Sequence, residues 1–258
     1  MHKPLILLTN DDGFFSQGIE ALYNVMNSVG EVYIVAPDME RSATSMALTL
    51  HDPLRVKNIK ERIYSVSGTP VDCVYMAVQK LLPRKPDLLI SGINHGPNLG
   101  LQDISYSGTM GGALQGTYLG IHSFAISLMS DSNHKFEFGY GAEIARKIAL
   151  KILQNGLAQN VTLNVNIPAP PVKGVKVVKL GEKRYNPEII VNKDPRNRVY
   201  YWIGTGAPKA MGDDDSDVFV IKNGFVTITP VNRDLTDQDS MVNYKVKNLL
   251  GIKNDEIS

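Results

Sequence analysis

Residues 4–13 read PLILLTNDDG. Pro4 to Thr9 is apolar with no polar alternation, the pattern of a strand buried on both faces of a parallel sheet. Asn10-Asp11-Asp12-Gly13 follow at once, so two adjacent carboxylates stand at the C-terminal tip of a buried strand. Open α/β sheets bind their ligands at that edge. Two like charges are costly there unless something compensates them. A divalent cation is the simplest compensation, and it points toward metal-assisted chemistry on a phosphate.

The segments downstream repeat the same grammar. A helix is expected over about 18–29, with Ile19, Leu22, Val25, Met26 and Val29 on one face and Gly30 ending it. A strand over 31–36 (EVYIVA) follows, then short strand candidates near 47–50, 54–57 and 63–66. Pro70 opens a helix over about 71–82. A buried strand at 87–91 leads into the loop GINHGPNLG. A helix at 108–119, a strand at 123–128, a helix at 137–155 and a strand at 162–167 complete the series. This alternation argues for a mostly parallel, Rossmann-like α/β sheet with helices on both faces.

After about residue 172 the rhythm changes. Strand candidates lie near 174–180, 199–203, 217–221 and 225–229, and helical character returns near 239–250. The expected organisation is an α/β catalytic domain over 1–171. Residues 172–258 form a β-rich antiparallel extension with a terminal helix, available for oligomer contacts.

A length of 258 residues suits that organisation. The net charge of +1 gives no bulk attraction to a nucleic-acid duplex or an acidic membrane, so any bound anion must be held by local geometry. Cys73 is the only cysteine, which rules out an intrachain disulfide, and its apolar helical setting reads as buried. The first strand leaves no room for a signal peptide. The uncharged stretch Met110–Met129 is too interrupted by polar residues and glycine for a membrane span. The expectation is a cytoplasmic protein.

Four segments follow buried strands and should meet on one rim. Asp11 and Asp12 supply carboxylates, and both reach one ion only if the chain turns, as Gly13 permits; the alternative is a pair of helix-capping carboxylates. In APDMERSATS, Arg41, Ser42, Thr44 and Ser45 offer a cation and neutral oxygens, or simply an exposed loop. In GINHGPNLG, Asn94 and Asn98 present amide groups suited to a metal or a phosphate. His95 lies in what reads as a backbone-led loop. The glycine spacing is not a dinucleotide fingerprint. Finally, Ser107, Gly108 and Thr109 open a helix, either as an anion site or as plain caps. Gly108, Gly112, Gly116 and Gly120 then recur every fourth residue, a face able to pack close to the sheet. The acidic run Asp213, Asp214, Asp215 and Asp217 reads as a solvated loop.

Together these stretches resemble the SurE family of nucleotidases. The matching segments are LLTNDDG (7–13), VAPDMERSATS (35–45), SGTPVDCVY (67–75), SGINHGPNLG (91–100), YSGTMGGALQG (106–116), LNVNIP (163–168) and ITPVNRDLTD (228–237). The resemblance implies a three-layer α/β/α domain and a C-terminal arm that builds a homodimer or homotetramer. It implies one divalent cation, Mg²⁺ or Mn²⁺, held by Asp11, Asp12, Ser42 and Asn94. It also implies hydrolysis of nucleoside 5′- and 3′-monophosphates, with some activity on short polyphosphate. Two positions depart from the family pattern: Ala43 replaces the usual glycine after the serine, and Gln17 replaces a frequent proline.

The expected chemistry is phosphomonoester hydrolysis. Asn98, Ser107, Gly108 and Thr109 would bind the phosphoryl oxygens, and Asp11 and Asn98 are the candidate catalytic residues. A contrasting reading is a nucleotide- or metal-sensing protein that binds the same ligand without turnover.

Overall fold

The computed structural model describes residues 3–204, 206 and 208–241. In chain order the first half contains β1 (Leu5–Thr9), α1 (Gln17–Met26), β2 (Glu31–Pro37), β3 (Val56–Lys60), β4 (Ile63–Val66), α2 (Pro70–Met76), β5 (Leu88–His95), α3 (Gly100–Tyr106), α4 (Gly108–Tyr118) and β6 (His122–Leu128). There follow α5 (Phe138–Asn155), β7 (Val161–Ile167), β8 (Gly174–Val177), β9 (Glu182–Arg184), β10 (Ile189–Lys193), β11 (Val199–Ile203), β12 (Lys209–Met211), α6 (Asp217–Val220), β13 (Phe225–Asn232) and α7 (Gln238–Met241).

Nine strands form one sheet in the order β3-β4-β2-β1-β5-β6-β7-β13-β8. The run from β4 to β7 is parallel, whereas β3 and β13 pair antiparallel with β4 and β7. Side chains alternate across β1: Ile6 and Leu8 pack with Ile19, Leu22, Ala145 and Ala149 of α1 and α5. Leu7 packs on the other face with Cys73 and Val74 of α2 and Met110 and Ala113 of α4. This is the three-layer α/β/α arrangement. Because both faces of β1 are covered, all five of its residues are buried, which explains its unbroken apolar run.

The helix starts follow local chemistry. Ser16, not an aspartate, caps α1. Thr69 and Asp72 form a reciprocal capping box on α2, with Pro70 in its first turn. The glycine face of α4 meets the sheet at Gly112 and Gly116, whereas Gly120 lies beyond the helix in a turn at φ +69°. A Cβ at Gly116 would lie 2.3 Å from Ser123 Oγ, and one at Gly112 would lie 2.9 Å from Ser91 Oγ.

Several expectations are corrected. Residues 47–50 form no strand, and the neighbouring strand begins at Val56 rather than at 54. The apolar run 217–221 is helical, not extended: α6 continues as a 3₁₀ turn through Asn223, with Val218, Val220 and Ile221 buried. Strands β9, β10 and β12 were not anticipated. The expected helix at 239–250 is described only over Gln238–Met241; its remainder lies outside the described residues. Among the described residues no helix is long and apolar enough to cross a membrane.

β1 has β2 on one side and β5 on the other. The crevice beyond their C-terminal ends is therefore a topological switch point. The candidate residues collect there.

Candidate active site

Asp11 sits on the α4 side of β1's tip, only 6% exposed. Thr109 Oγ1 donates to Asp11 Oδ1 at 2.5 Å. A Cβ at Gly108 would stand 2.9 Å from Asp11 Cβ and 3.0 Å from Thr44 Oγ1, so only glycine lets the start of α4 approach this closely. Burial pushes the Asp11 carboxyl up to about 6; the Thr109 hydrogen bond opposes the shift, and the neighbouring Asp12 charge adds to it.

Asp12 faces the other way, toward β5. Its Oδ1 lies 3.0 Å from His95 Nδ1, and its Oδ2 is buried with no hydrogen-bond partner. That contact raises the His95 pKa, chiefly through the hydrogen bond to Asp12, with burial opposing it. The Asn10 amide ties the loop down by donating to Gly13 O at 2.9 Å and Ser16 Oγ at 2.8 Å.

The segment after β2 leans against this loop. The Arg41 amide donates to Asp11 O at 2.7 Å. Ser45 N donates to Tyr106 O at 3.0 Å and Ser45 Oγ to Ser105 O at 2.7 Å, which fastens the segment to the α3–α4 junction. Ser42 is exposed, and its hydroxyl donates to Glu40 Oε1 at 2.6 Å. Ala43 adopts φ +56°, the left-handed region that glycine occupies without strain.

Asn94 follows a register shift in β5 between Ser91 and Asn94. Its Nδ2 donates to Gly96 O at 2.7 Å, so its oxygen is the atom left for a cation. Asn98 is gripped from three sides. Its backbone amide donates to Asn166 Oδ1 at 2.8 Å, and its carbonyl accepts from Asn164 Nδ2 at 2.9 Å and Asn166 Nδ2 at 3.0 Å. Its side-chain amide donates to Ser127 Oγ at 2.9 Å. Ser107 caps α4 by accepting from Met110 N at 3.0 Å, which leaves its hydroxyl proton free to donate. Thr109, by contrast, is fully buried with its proton committed to Asp11.

The structure thus gathers Asp11, Asp12, Thr109 and Gly108 around β1's tip. Ser42 lies on the segment bonded to this loop, Ser107 caps α4, Asn94 stands near the end of β5, and Asn98 is held against β6 and β7. Sequence reasoning passed over three features. His95 is paired to Asp12, a contact that depends on β1 and β5 being neighbours. Asn164 and Asn166 clamp Asn98; two asparagines two apart inside a buried strand were the available signal. Asp217 is fully buried rather than solvated. It accepts from Gly100 N at 2.8 Å, Gly181 N at 2.7 Å and Val218 N at 2.8 Å, so it joins the end of the Asn98 loop to the arm. Asp213 and Asp215 are solvated and pair with Lys179.

Among the described residues no cluster of three or more His, Cys, Asp or Glu side chains is suited to a metal. A hard divalent cation requires no such cluster. Two carboxylates completed by neutral oxygens match its preference, with substrate and water filling the remaining positions. Asp12 Oδ2 has no hydrogen-bond partner and the Asp11 carboxyl is desolvated, and a cation would relieve both.

A family model described as "Survival protein SurE" matches residues 6–187. The chain is 44% identical over 241 residues to a 5′-nucleotidase SurE of Pelobacter propionicus, covering 92% of this chain and 96% of the relative. It is 43% identical over 255 residues to that of Symbiobacterium thermophilum, covering 95% and 98%. The crystal structure of the SurE protein from Aquifex aeolicus superposes with a TM-score of 0.81 at 39% identity, covering 95% of this chain and 99% of that one. The chain belongs to the SurE family.

Proposed function

We propose that the chain hydrolyses nucleoside 5′-monophosphates to nucleoside and phosphate, and that it requires one divalent cation, Mg²⁺ or Mn²⁺. The 5′-nucleotidase relatives support the reaction class. The observation that carries the site assignment is the Asp11–Asp12 pair, the first buried and the second half-buried with an orphaned carboxylate oxygen, at the switch point beside the start of α4. Asp11, Asp12, Ser42 and Asn94 would hold the ion. When bound, the cation neutralises phosphate charge and lowers the cost of activating water.

The chain's own groups do the positioning. Thr109 fixes the Asp11 carboxylate through its hydroxyl. His95 fixes Asp12. The α4 amides and the Ser107 hydroxyl present donors to phosphoryl oxygens where negative charge develops. Asn98, immobilised by Asn164, Asn166 and Ser127, offers its remaining amide proton to the same group. Activity on 3′-monophosphates and short polyphosphate belongs to the same reading, since these donors address the phosphoryl group rather than the rest of the molecule.

The same reading includes a homodimer or homotetramer built through the C-terminal arm, and work in the cytoplasm. The β10–β11 hairpin supports the first. Among the described residues it pairs only with itself, and it exposes Ile189, Val191, Tyr201, Trp202 and Ile203, an apolar surface suited to a partner. Phosphate release from a panel of 5′- and 3′-monophosphates, with EDTA, Mg²⁺ and Mn²⁺ in parallel, tests the reaction. Release that stops with EDTA and returns with metal is expected. Nucleotide binding without release under any metal would leave a sensing protein instead.

A further inference from the structure

We propose that Phe15, with Met39 beside it, forms the subsite on which the substrate's base stacks. The inference rests on the nucleotidase reading and extends it to the part of the substrate that does not react.

The two sides of the carboxylate pair differ. The Asp11 side is walled by Gly108, Thr109 and Thr44. Exposed apolar and aromatic groups stand just beyond the pair, around Gly13. Phe15 is 64% exposed and Met39 53%. Both adjoin Gly13, the residue after Asp12: a Cβ there would lie 3.0 Å from Phe15 Cε1 and 3.5 Å from the Met39 carbonyl carbon. The His95 side chain, 35% exposed, touches Asp12 directly. With a phosphate at the carboxylates, the sugar spaces the base outward, within reach of a ring that stands against Gly13.

The exposed rings also rest on other rings. Phe15 meets Phe14 edge to face at 5.5 Å, and Phe14 is itself packed on the core and tied to Pro37 O. His95 meets Phe138 at 4.8 Å and Phe136 at 5.2 Å, both T-shaped. A large aromatic ring presented to water and backed by a second ring offers a face for stacking. A purine or pyrimidine supplies a flat π face that stacks on such a ring whatever its hydrogen-bonding edge.

The test compares AMP with ribose 5-phosphate, which carries the same phosphate and sugar without a base. KM and kcat are measured for both on the wild type, Phe15→Ala and Phe15→Trp in saturating Mn²⁺. Binding of adenosine, which carries no phosphate to release, is followed by calorimetry. Phe15→Ala is expected to raise KM for AMP about tenfold and to weaken adenosine binding by a similar factor. Constants for ribose 5-phosphate should stay within about twofold, and Phe15→Trp should restore the wild-type pattern. Equal changes for both substrates, or no change for AMP, would overturn the subsite while leaving the phosphatase reading intact. Absence of phosphate release from either substrate would remove the nucleotidase reading. The subsite would still stand if adenosine bound the wild type and not Phe15→Ala, and would fall if it bound both alike or neither.

Discussion

Ala43 holds a backbone conformation, φ +56°, that costs an L-residue roughly 1–2 kcal/mol, part of which glycine gives back through its freer unfolded chain. Ala43→Gly should therefore stabilise the protein by about 0.5–1 kcal/mol in urea unfolding; a loss of stability would argue against the left-handed turn beside Ser42. Asp11 gives a pH signature. Its folded value of about 6 exceeds the ordinary 3.8, so the folded chain holds this proton more tightly than the unfolded one. Stability from this group is thus present below about pH 4 and is lost as pH rises through about 6. In metal-free protein the swing is at most about 3 kcal/mol, and Asp11→Asn should flatten it. Identical pH profiles for the two proteins would show that the carboxyl is not desolvated.

At the scale of elements, α4 is the component that joins sheet, loop and carboxylates. Gly116 and Gly111 probe its two contacts separately. A Cβ at Gly116 would collide with Ser123 inside the sheet contact, whereas one at Gly111 would stand 2.1 Å from Ser45 O and push the Ser42 segment away. Each alanine substitution should cost about 1–3 kcal/mol in thermal or chemical unfolding. Only Gly111→Ala should also weaken Mn²⁺ binding, because only it displaces a segment proposed to carry a ligand. The close-packing glycine face was legible in the sequence, as were the buried strands, since a strand covered on both sides has no polar alternation. The run DVFVI at 217–221 misled for a related reason. Apolar density alone does not separate a short buried helix from a strand, and of the bonds that hold its first residue, Asp217, the one from Gly100 spans 117 residues. Strands β9, β10 and β12 were missed because their residues are mostly exposed and carry no burial pattern.

Across the whole molecule, the site's residues were readable as a list and its wiring was not. Asp11 and Asp12 are adjacent in the chain, but their partners lie far along it, His95 at the end of β5 and Thr109 at the start of α4, and Asn98 is fixed by β7. Such contacts become visible only once strand order is known. The arm joins this wiring at its root, where Leu101 N donates to Gly181 O at 2.9 Å and Lys183 and Tyr185 reach Asp103. The exposed hairpin lies further along the arm. The double substitution Trp202→Ser and Ile203→Ser should shift the protein toward monomer in light scattering, and an unchanged mass would exclude this face as the subunit contact.

Everything proposed for catalysis depends on Asp11 and Asp12 sharing one divalent cation. Equilibrium Mn²⁺ binding, read from the free-ion magnetic resonance signal, can be compared between the wild type and Asp12→Asn without reference to turnover. One tightly bound ion per wild-type chain is predicted, with affinity reduced at least tenfold in a variant that still folds. Equal binding by the two proteins, or no binding by either, would contradict the assignment of this pair as the metal site.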